Sequence, residues 1–158
     1  MKIVVLGGGE SGVGAAYLAK KKGLNVFLSD KGAIKSEYKN QLIEAEIEFE
    51  EGKHDEARIL EADWIIKSPG IPKKADIIFK INQKGIRLSS EIEFAAEFTQ
   101  AKIIAITGSN GKTTTTSLIY HILKNDKRNV GLAGNIGTSF AKQVADDDFD
   151  FYVLEVSS

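Results

Sequence analysis

Residues 103–116 read IIAITGSNGKTTTT. The stretch opens on the apolar run Ile103, Ile104, Ala105 and Ile106, the signature of a parallel strand buried in a sheet. It breaks into Thr107-Gly108-Ser109-Asn110-Gly111-Lys112-Thr113, and a helical spacing follows through Leu118, Ile119, Ile122 and Leu123. Strand, glycine loop, Lys-Thr and helix in that order make a phosphate cradle. The glycines let consecutive N–H groups face one anion, and the helix N-terminus adds partial positive charge. Lys112 can reach terminal phosphates, and the Thr113 hydroxyl can ligate Mg²⁺. The general form of this loop has a further glycine at the position of Ile106, so the chain carries a shorter GxxGKT version. The plainer alternative is a glycine-rich turn capping an ordinary helix. The flanking strand and helix favour the cradle.

Working outward, the chain start holds a second glycine turn. Ile3 to Leu6 is a short apolar strand, followed by Gly7-Gly8-Gly9-Glu10-Ser11-Gly12-Val13-Gly14. Gly7, Gly9 and Gly12 satisfy G-x-G-x-x-G, and Ala15, Ala16, Leu18 and Ala19 give the next helix an apolar face up to Gly23. The second strand, Val26 to Leu28, ends at Ser29-Asp30. An acidic residue there suits a ribose in a dinucleotide fold, or else serves as a solvated strand-end or capping carboxylate. Beyond it, Ser36 to Ala45 reads as a surface helix with Tyr38, Leu42 and Ile43 inward, and Ile47 to Phe49 as a short strand. His54, among Lys53, Asp55 and Glu56, reads as an exposed loop residue with no partner at metal-ligand spacing. Ala62 to Ile66 is a further strand, running into the turn Lys67-Ser68-Pro69-Gly70-Ile71-Pro72 at the edge where open α/β sheets bind ligands. A helix over 75–84, a strand over 87–89 and a helix over 91–98, with Ile92, Phe94, Ala95 and Phe98 buried, complete an alternating pattern.

Thr99-Gln100-Ala101 is the expected joint, dividing a Rossmann-like unit at 1–98 from the start of a phosphate-loop α/β unit at 99–158. In the second unit Asn129 to Leu132 is a weak strand. Gly134-Asn135-Ile136-Gly137 sets a side-chain amide between permissive glycines, as an anion contact or a simple turn. Asp146 to Asp148 reads as a solvated loop. Phe151 to Val156 is an apolar strand carrying Glu155, a carboxylate placed to hold Mg²⁺ beside the phosphate loop or else to point at solvent. A sheet ending on its most apolar strand leads us to expect a piece of a longer protein, with Phe151 to Val156 lacking a neighbour.

Composition narrows the functional classes. The chain has 158 residues, 42 % of them hydrophobic, which is enough for a core and rules out wholesale disorder. A net charge of −1 without a basic run makes nucleic acid an unexpected partner. The absence of cysteine removes disulfides and thiolate metal sites. No segment is long and apolar enough for a signal peptide or a membrane span, so a soluble cytosolic protein is the expectation.

Together, Thr107 to Thr114, Gly134-Asn-Ile-Gly137 and Leu154-Glu-Val-Ser-Ser158 resemble the Mur ligase family of peptidoglycan synthesis. Gly7 to Gly12, Ser68-Pro-Gly-Ile71 and Glu91-Ile-Glu-Phe94 make the resemblance greatest to its D-glutamate-adding branch. That resemblance implies a first unit binding the UDP end of UDP-N-acetylmuramoyl-L-alanine. Glu10, Ser11, Asp30 and Lys31 would lie near uracil and ribose, and Gly70 and Asn135 near the diphosphate. Members of the family usually carry a small aliphatic residue at the position of Glu10. The resemblance further implies ATP held by Gly108, Ser109, Asn110, Gly111, Lys112, Thr113 and Thr114, with Mg²⁺ at Thr113 and Glu155, and Lys112 and Glu155 as the catalytic pair. D-glutamate is the second substrate implied, joined through an acyl phosphate. The chain as it stands is expected to bind the UDP moiety without ligating. Another amino-acid ligase of the family, a nicotinamide-dependent oxidoreductase built on Gly7, Gly9, Gly12 and Asp30, and a non-catalytic nucleotide-binding module are the competing readings.

Overall fold

The computed structural model describes residues 1–157, so Ser158, the last residue of the Leu154-to-Ser158 motif, lies outside the described residues. Two parallel sheets follow one another along the chain. The first has five strands: β1 (Lys2–Leu6), β2 (Asn25–Asp30), β3 (Glu48–Glu51), β4 (Trp64–Lys67) and β5 (Arg87–Ser90). Their order is β3-β2-β1-β4-β5, and every pairing is parallel. This is the Rossmann-like arrangement: the chain winds outward on one side of β1, then returns to wind outward on the other.

Because strand residues alternate sides, β1 splits the core in two. Ile3 and Val5 face one cluster, shared with α1 (Glu10–Lys21), Leu42 of α2 (Ser36–Glu44) and α5 (Glu91–Ala96). Val4 and Leu6 face the other, shared with α3 (Glu56–Ile59) and α4 (Asp76–Gln83). Burial on both faces is why β1 and β4 read as continuous apolar runs. Trp64 packs edge-on against Phe94, ring centres 4.9 Å apart, which seats α5 on the sheet. Ser90 caps α5 and Glu93 reciprocates, a complete capping box.

The second sheet contains β6 (Lys102–Ile106), β7 (Val130–Gly134) and β8 (Phe151–Glu155) in the order β6-β8-β7. The helices α6 (Lys112–Asn125) and α7 (Phe140–Asp146) belong to it in sequence. The strand β8 is therefore flanked on both sides, correcting the expectation that it lacks a neighbour. The exposed apolar surface lies instead along β6 and α6. Ile103, Leu118 and Ile122 are all exposed, so neither is the buried element that its apolar pattern suggests. Two further expectations change in the first unit: Ile43 points to solvent, and Ile92 and Phe98 are only half-buried.

Sequence reading missed the short α3 and, with more consequence for the fold, α7. It packs on α1 and α5 of the first unit, and Phe140, Ala141 and Val144 join the same apolar cluster as Val13, Ala16 and Phe94. Gly14 makes room for it, because a Cβ there would sit 2.0 Å from Ser139 Oγ. At its far end Asp146 accepts hydrogen bonds from Tyr17, Lys21 and Lys142, so this carboxylate is not a free loop residue. Its two neighbours in the acidic run are exposed, as expected.

Candidate functional site

The C-terminal ends of the first four strands converge on a cleft of about 440 Å³, lined by Gly7, Gly9, Glu10, Ser11, Asp30, Lys31, His54 and residues 68–71. The glycine fingerprint builds its floor. Gly7 has φ +103°, which favours glycine, and its N–H donates to the Ser29 carbonyl at 2.9 Å. The helix α1 begins at Glu10, so Gly12 and Gly14 lie within its first turns rather than in the loop. Asp30 closes the turn from the side. One carboxylate oxygen accepts the Gly8 N–H at 2.5 Å and the other accepts the Gly32 N–H at 2.7 Å. Each oxygen keeps a lone pair for a ligand hydroxyl.

The Ser68-Pro-Gly-Ile71 turn forms the opposite wall. Lys67 braces it, donating to the carbonyls of Ser68 at 2.9 Å and Ile71 at 2.7 Å. Burial pushes the Lys67 ammonium down from its ordinary range, with nearby Lys73 acting in the same direction. The Ser68 hydroxyl is buried beside Gly7 and Gly12 and has no hydrogen-bond partner within the protein. A buried orphan hydroxyl at the floor of an anion-shaped turn fits a polar ligand atom.

Of the residues expected near a UDP group, Glu10, Ser11, Asp30, Lys31 and Gly70 share this cleft. Glu10 also has a partner in the second unit, where its carboxylate accepts the Ser139 N–H at 3.1 Å. Asn135 does not line the cleft. Its side-chain amide pairs with Ser157 at 2.9 Å, and its N–H donates to the Glu155 carbonyl.

The second site is the phosphate loop. Gly108 and Gly111 have φ +146° and +74°, so both permissive positions hold glycine, and α6 starts directly at Lys112. Lys112 Nζ lies across the loop, donating to the Gly108 carbonyl at 2.7 Å. Thr113 Oγ1 donates to Glu155 Oε2 at 2.7 Å, uniting two residues 42 positions apart. Parallel pairing of β6 with β8, which sets Ile106 opposite Glu155, brings them together. A hydroxyl and a carboxylate beside a phosphate cradle are a fitting oxygen donor set for Mg²⁺, which keeps waters and phosphate oxygens among its ligands. Among the described residues no cluster of three or more His, Cys, Asp or Glu offers a metal site formed by protein alone.

Three groups escaped sequence reading. His54 is not a free loop residue: its Nδ1 lies 2.6 Å from Ser29 Oγ, and the ring lines the cleft. Glu50 completes that chain, 2.7 Å from the same hydroxyl. The edge rule that pointed to Ser68 applies equally to the loop after β3 and could have found His54. The third is Glu91, a buried carboxylate whose Oε1 accepts the Ser139 hydroxyl and the Ala141 N–H, both at 2.7 Å.

Burial pushes the Glu91 carboxyl up from its ordinary range, against the pull of the Ala141 and Ser139 donors. A carboxyl raised in the folded state contributes its full stability below the ordinary glutamate value. That contribution is lost as pH rises through the raised one. Glu91→Gln stays neutral and keeps an acceptor oxygen, so its stability relative to wild type is expected to improve between about pH 5 and about pH 8. Glu91→Ala leaves two donors without an acceptor and is expected to cost about 2 kcal/mol at about pH 5 and less at about pH 8, where wild type has lost the contribution of its raised carboxyl. Urea unfolding at the two pH values measures this. A glutamine variant that loses ground as pH rises would contradict the assignment.

Comparison with known proteins agrees with both halves of the chain. Residues 2–77 match the MurD N-terminal domain and residues 106–158 match the Mur ligase middle domain. The chain is 58 % identical over 157 residues to the UDP-N-acetylmuramoylalanine–D-glutamate ligase of Christiangramia forsetii, and 59 % identical over 157 residues to that of Bacteroides fragilis. Each alignment covers 99 % of this chain but 35 % of the relative, so the chain spans about a third of the length of these relatives. Among solved structures, a murein peptide ligase from Psychrobacter arcticus superposes with a TM-score of 0.62 at 25 % identity, over 98 % of this chain and 37 % of that one. With the Rossmann-like sheet, the glycine cleft and the phosphate loop all in one chain, it belongs to the Mur ligase family.

Proposed function

We propose that the protein carrying this chain is an ATP-dependent ligase that adds D-glutamate to UDP-N-acetylmuramoyl-L-alanine in peptidoglycan synthesis, acting in the cytoplasm. The carrying observation is a chain 58 % identical to such ligases that holds two separate nucleotide-shaped sites, the Gly7–Ser68 cleft and the Thr113–Glu155 pair. An oxidoreductase reading would use the first and leave the second without a role. We propose residues 1–98 as the UDP-substrate unit and 99–158 as the start of the ATP unit. No helix of the described residues is long and apolar enough to cross a membrane.

In this reading Asp30 takes the ribose hydroxyls, and Ser68 Oγ with the glycine N–H groups takes polar atoms of the diphosphate end. Asn135, whose amide pairs with Ser157, keeps a second N–H hydrogen for a diphosphate oxygen. The substrate carboxylate attacks the γ-phosphate of ATP, giving an acyl phosphate and ADP. The amine of D-glutamate then displaces inorganic phosphate and forms the amide. Such transfer needs positioning and charge neutralisation more than a protein nucleophile. Lys112 exchanges the Gly108 carbonyl for a phosphate oxygen and neutralises charge there. Thr113 and Glu155 hold Mg²⁺, which when bound draws charge from the phosphates.

Titration of the chain with UDP-N-acetylmuramoyl-L-alanine, UDP and NAD tests the first site. Both uridine ligands are expected to bind. Tight NAD binding with no response to either would overturn the reading. Phosphate release that depends on D-glutamate tests the whole activity in the longer protein.

A further inference from the structure

We propose that Glu10 gates the cleft to phosphate and that Ser139 of the second unit holds the gate open. Tied to Ser139, Glu10 leaves the start of α1 free. Released, it caps that helix and repels the anion. The proposal rests on the nucleotide reading of the cleft. Its basis is that one carboxylate belongs to both places. Glu10 is the first residue of α1 and lines the cleft beside Gly7, Gly9 and Ser11. Its Oε1 also accepts the Ser139 N–H at 3.1 Å, across 129 positions of sequence. Among the described residues this is the one hydrogen bond its side chain makes.

Local chemistry gives the carboxylate a second place to go. The first N–H groups of a helix have no partner inside it. In α1 the N-cap is Gly9, which has no side chain to supply one. These N–H groups, with the positive end of the helix dipole, stay uncapped at the cleft wall, which suits a phosphate. An acidic side chain in the first turn suits them equally well, and Glu10 is that side chain. A carboxylate settled there fills the anion position and sets like charge beside any phosphate. The Ser139 N–H offers it another partner, and Ser139 is itself fixed. It is buried, it caps α7, and its hydroxyl donates to Glu91 at 2.7 Å. Phe140, Ala141 and Val144 of α7 lie in the core shared with α1 and α5. Docking of α7 therefore sets Glu10, and through it the readiness of the cleft for an anionic ligand.

Ser139→Pro and Ser139→Ala form the test pair. Both lose the hydroxyl with its cap and its bond to Glu91, but only proline also loses the N–H that holds Glu10. Ser139 has φ −46°, within about 20° of the value proline prefers, so the ring suits the backbone. UDP is titrated calorimetrically into wild type, both variants, and each variant with Glu10→Gln added, at low and high salt. Ser139→Pro is expected to bind UDP about fivefold more weakly than Ser139→Ala, the weight of one hydrogen bond. Glu10→Gln, which takes away the charge, is expected to close that gap, and salt to shrink it. Damage to the fold alone would leave the gap in place under both. Should Ser139→Pro fail to fold by circular dichroism, Gly14→Ala takes its place against wild type. A Cβ there would lie 2.0 Å from Ser139 Oγ and 2.8 Å from its Cβ, which displaces Ser139 from Glu10. Weaker UDP binding rescued by Glu10→Gln is again the expected result. Equal UDP affinity in the two Ser139 variants, or a gap that survives Glu10→Gln, overturns the role of Glu10 and leaves the nucleotide cleft standing. A wild type that does not bind UDP overturns the cleft reading and this proposal with it.

Discussion

Replacing Lys112 by alanine in the longer protein is expected to lower turnover by about two to four orders of magnitude. This corresponds to roughly 3–5 kcal/mol for a positive charge acting on a transferring phosphoryl group. The geometry supports a large effect. Lys112 is the first residue of α6, and its ammonium already lies over the loop, within 2.7 Å of the Gly108 carbonyl. No other lysine or arginine lies between Lys102 and Lys124, so the loop has no substitute cation of its own. The Gly7–Ser68 cleft lies on the other sheet, so binding of UDP proposed there is expected to stay within about twofold. Initial-rate kinetics with calorimetry on the same variant separates the two effects. Near-normal turnover would remove Lys112 from the mechanism, and a parallel loss of UDP binding would show that the variant had damaged the fold.

Gly12→Ala is expected to destabilise the first unit by about 3 kcal/mol or more and to abolish binding in the cleft, whereas Gly9→Ala should cost about 1 kcal/mol or less. Both belong to the same G-x-G-x-x-G fingerprint, and the pattern treats them alike. In the fold, a Cβ on Gly12 would lie 1.9 Å from the Gly7 carbonyl oxygen and 3.0 Å from Ser68 Oγ. The first obstacle is backbone, which cannot swing aside as a side chain can. Relief would require α1 to shift away from the β1–α1 turn, opening the cleft floor. A Cβ on Gly9 would meet nothing within 4 Å, and Gly9 is the N-cap of α1 with φ −84°, open to any residue. Urea unfolding and UDP titration of both variants form a matched pair. Equal behaviour would show that backbone approach at Gly12 is not what the fingerprint protects.

The two predictions divide the molecule as sequence and structure divide it. The glycine turns, the Lys112-Thr113 pair and the alternation of strands and helices were legible because each is written in residues a few positions apart. Torsional freedom, capping and periodicity act over that range. Apolar runs likewise marked β1, β4, β6 and β8 as strands. Burial was not legible in the same way, because it depends on what the rest of the chain supplies. Ile103, Leu118 and Ile122 have the pattern of a core and stand exposed, while Glu91 looks like a surface carboxylate and is buried under α7.

The sequence by itself determined most of the elements, their order and the two glycine turns. Tertiary structure alone decided which distant residues share a site. Ser29, Glu50 and His54 meet because β2 and β3 pair in parallel and end on one edge. Thr113 meets Glu155 across 42 residues because β6 and β8 pair. Docking of α7 on α1 and α5 brings Ser139 to Glu10 and Glu91. Each of these contacts depends on strand register and helix docking. Those are fixed only when the whole chain has collapsed around its core, so no local pattern carries them.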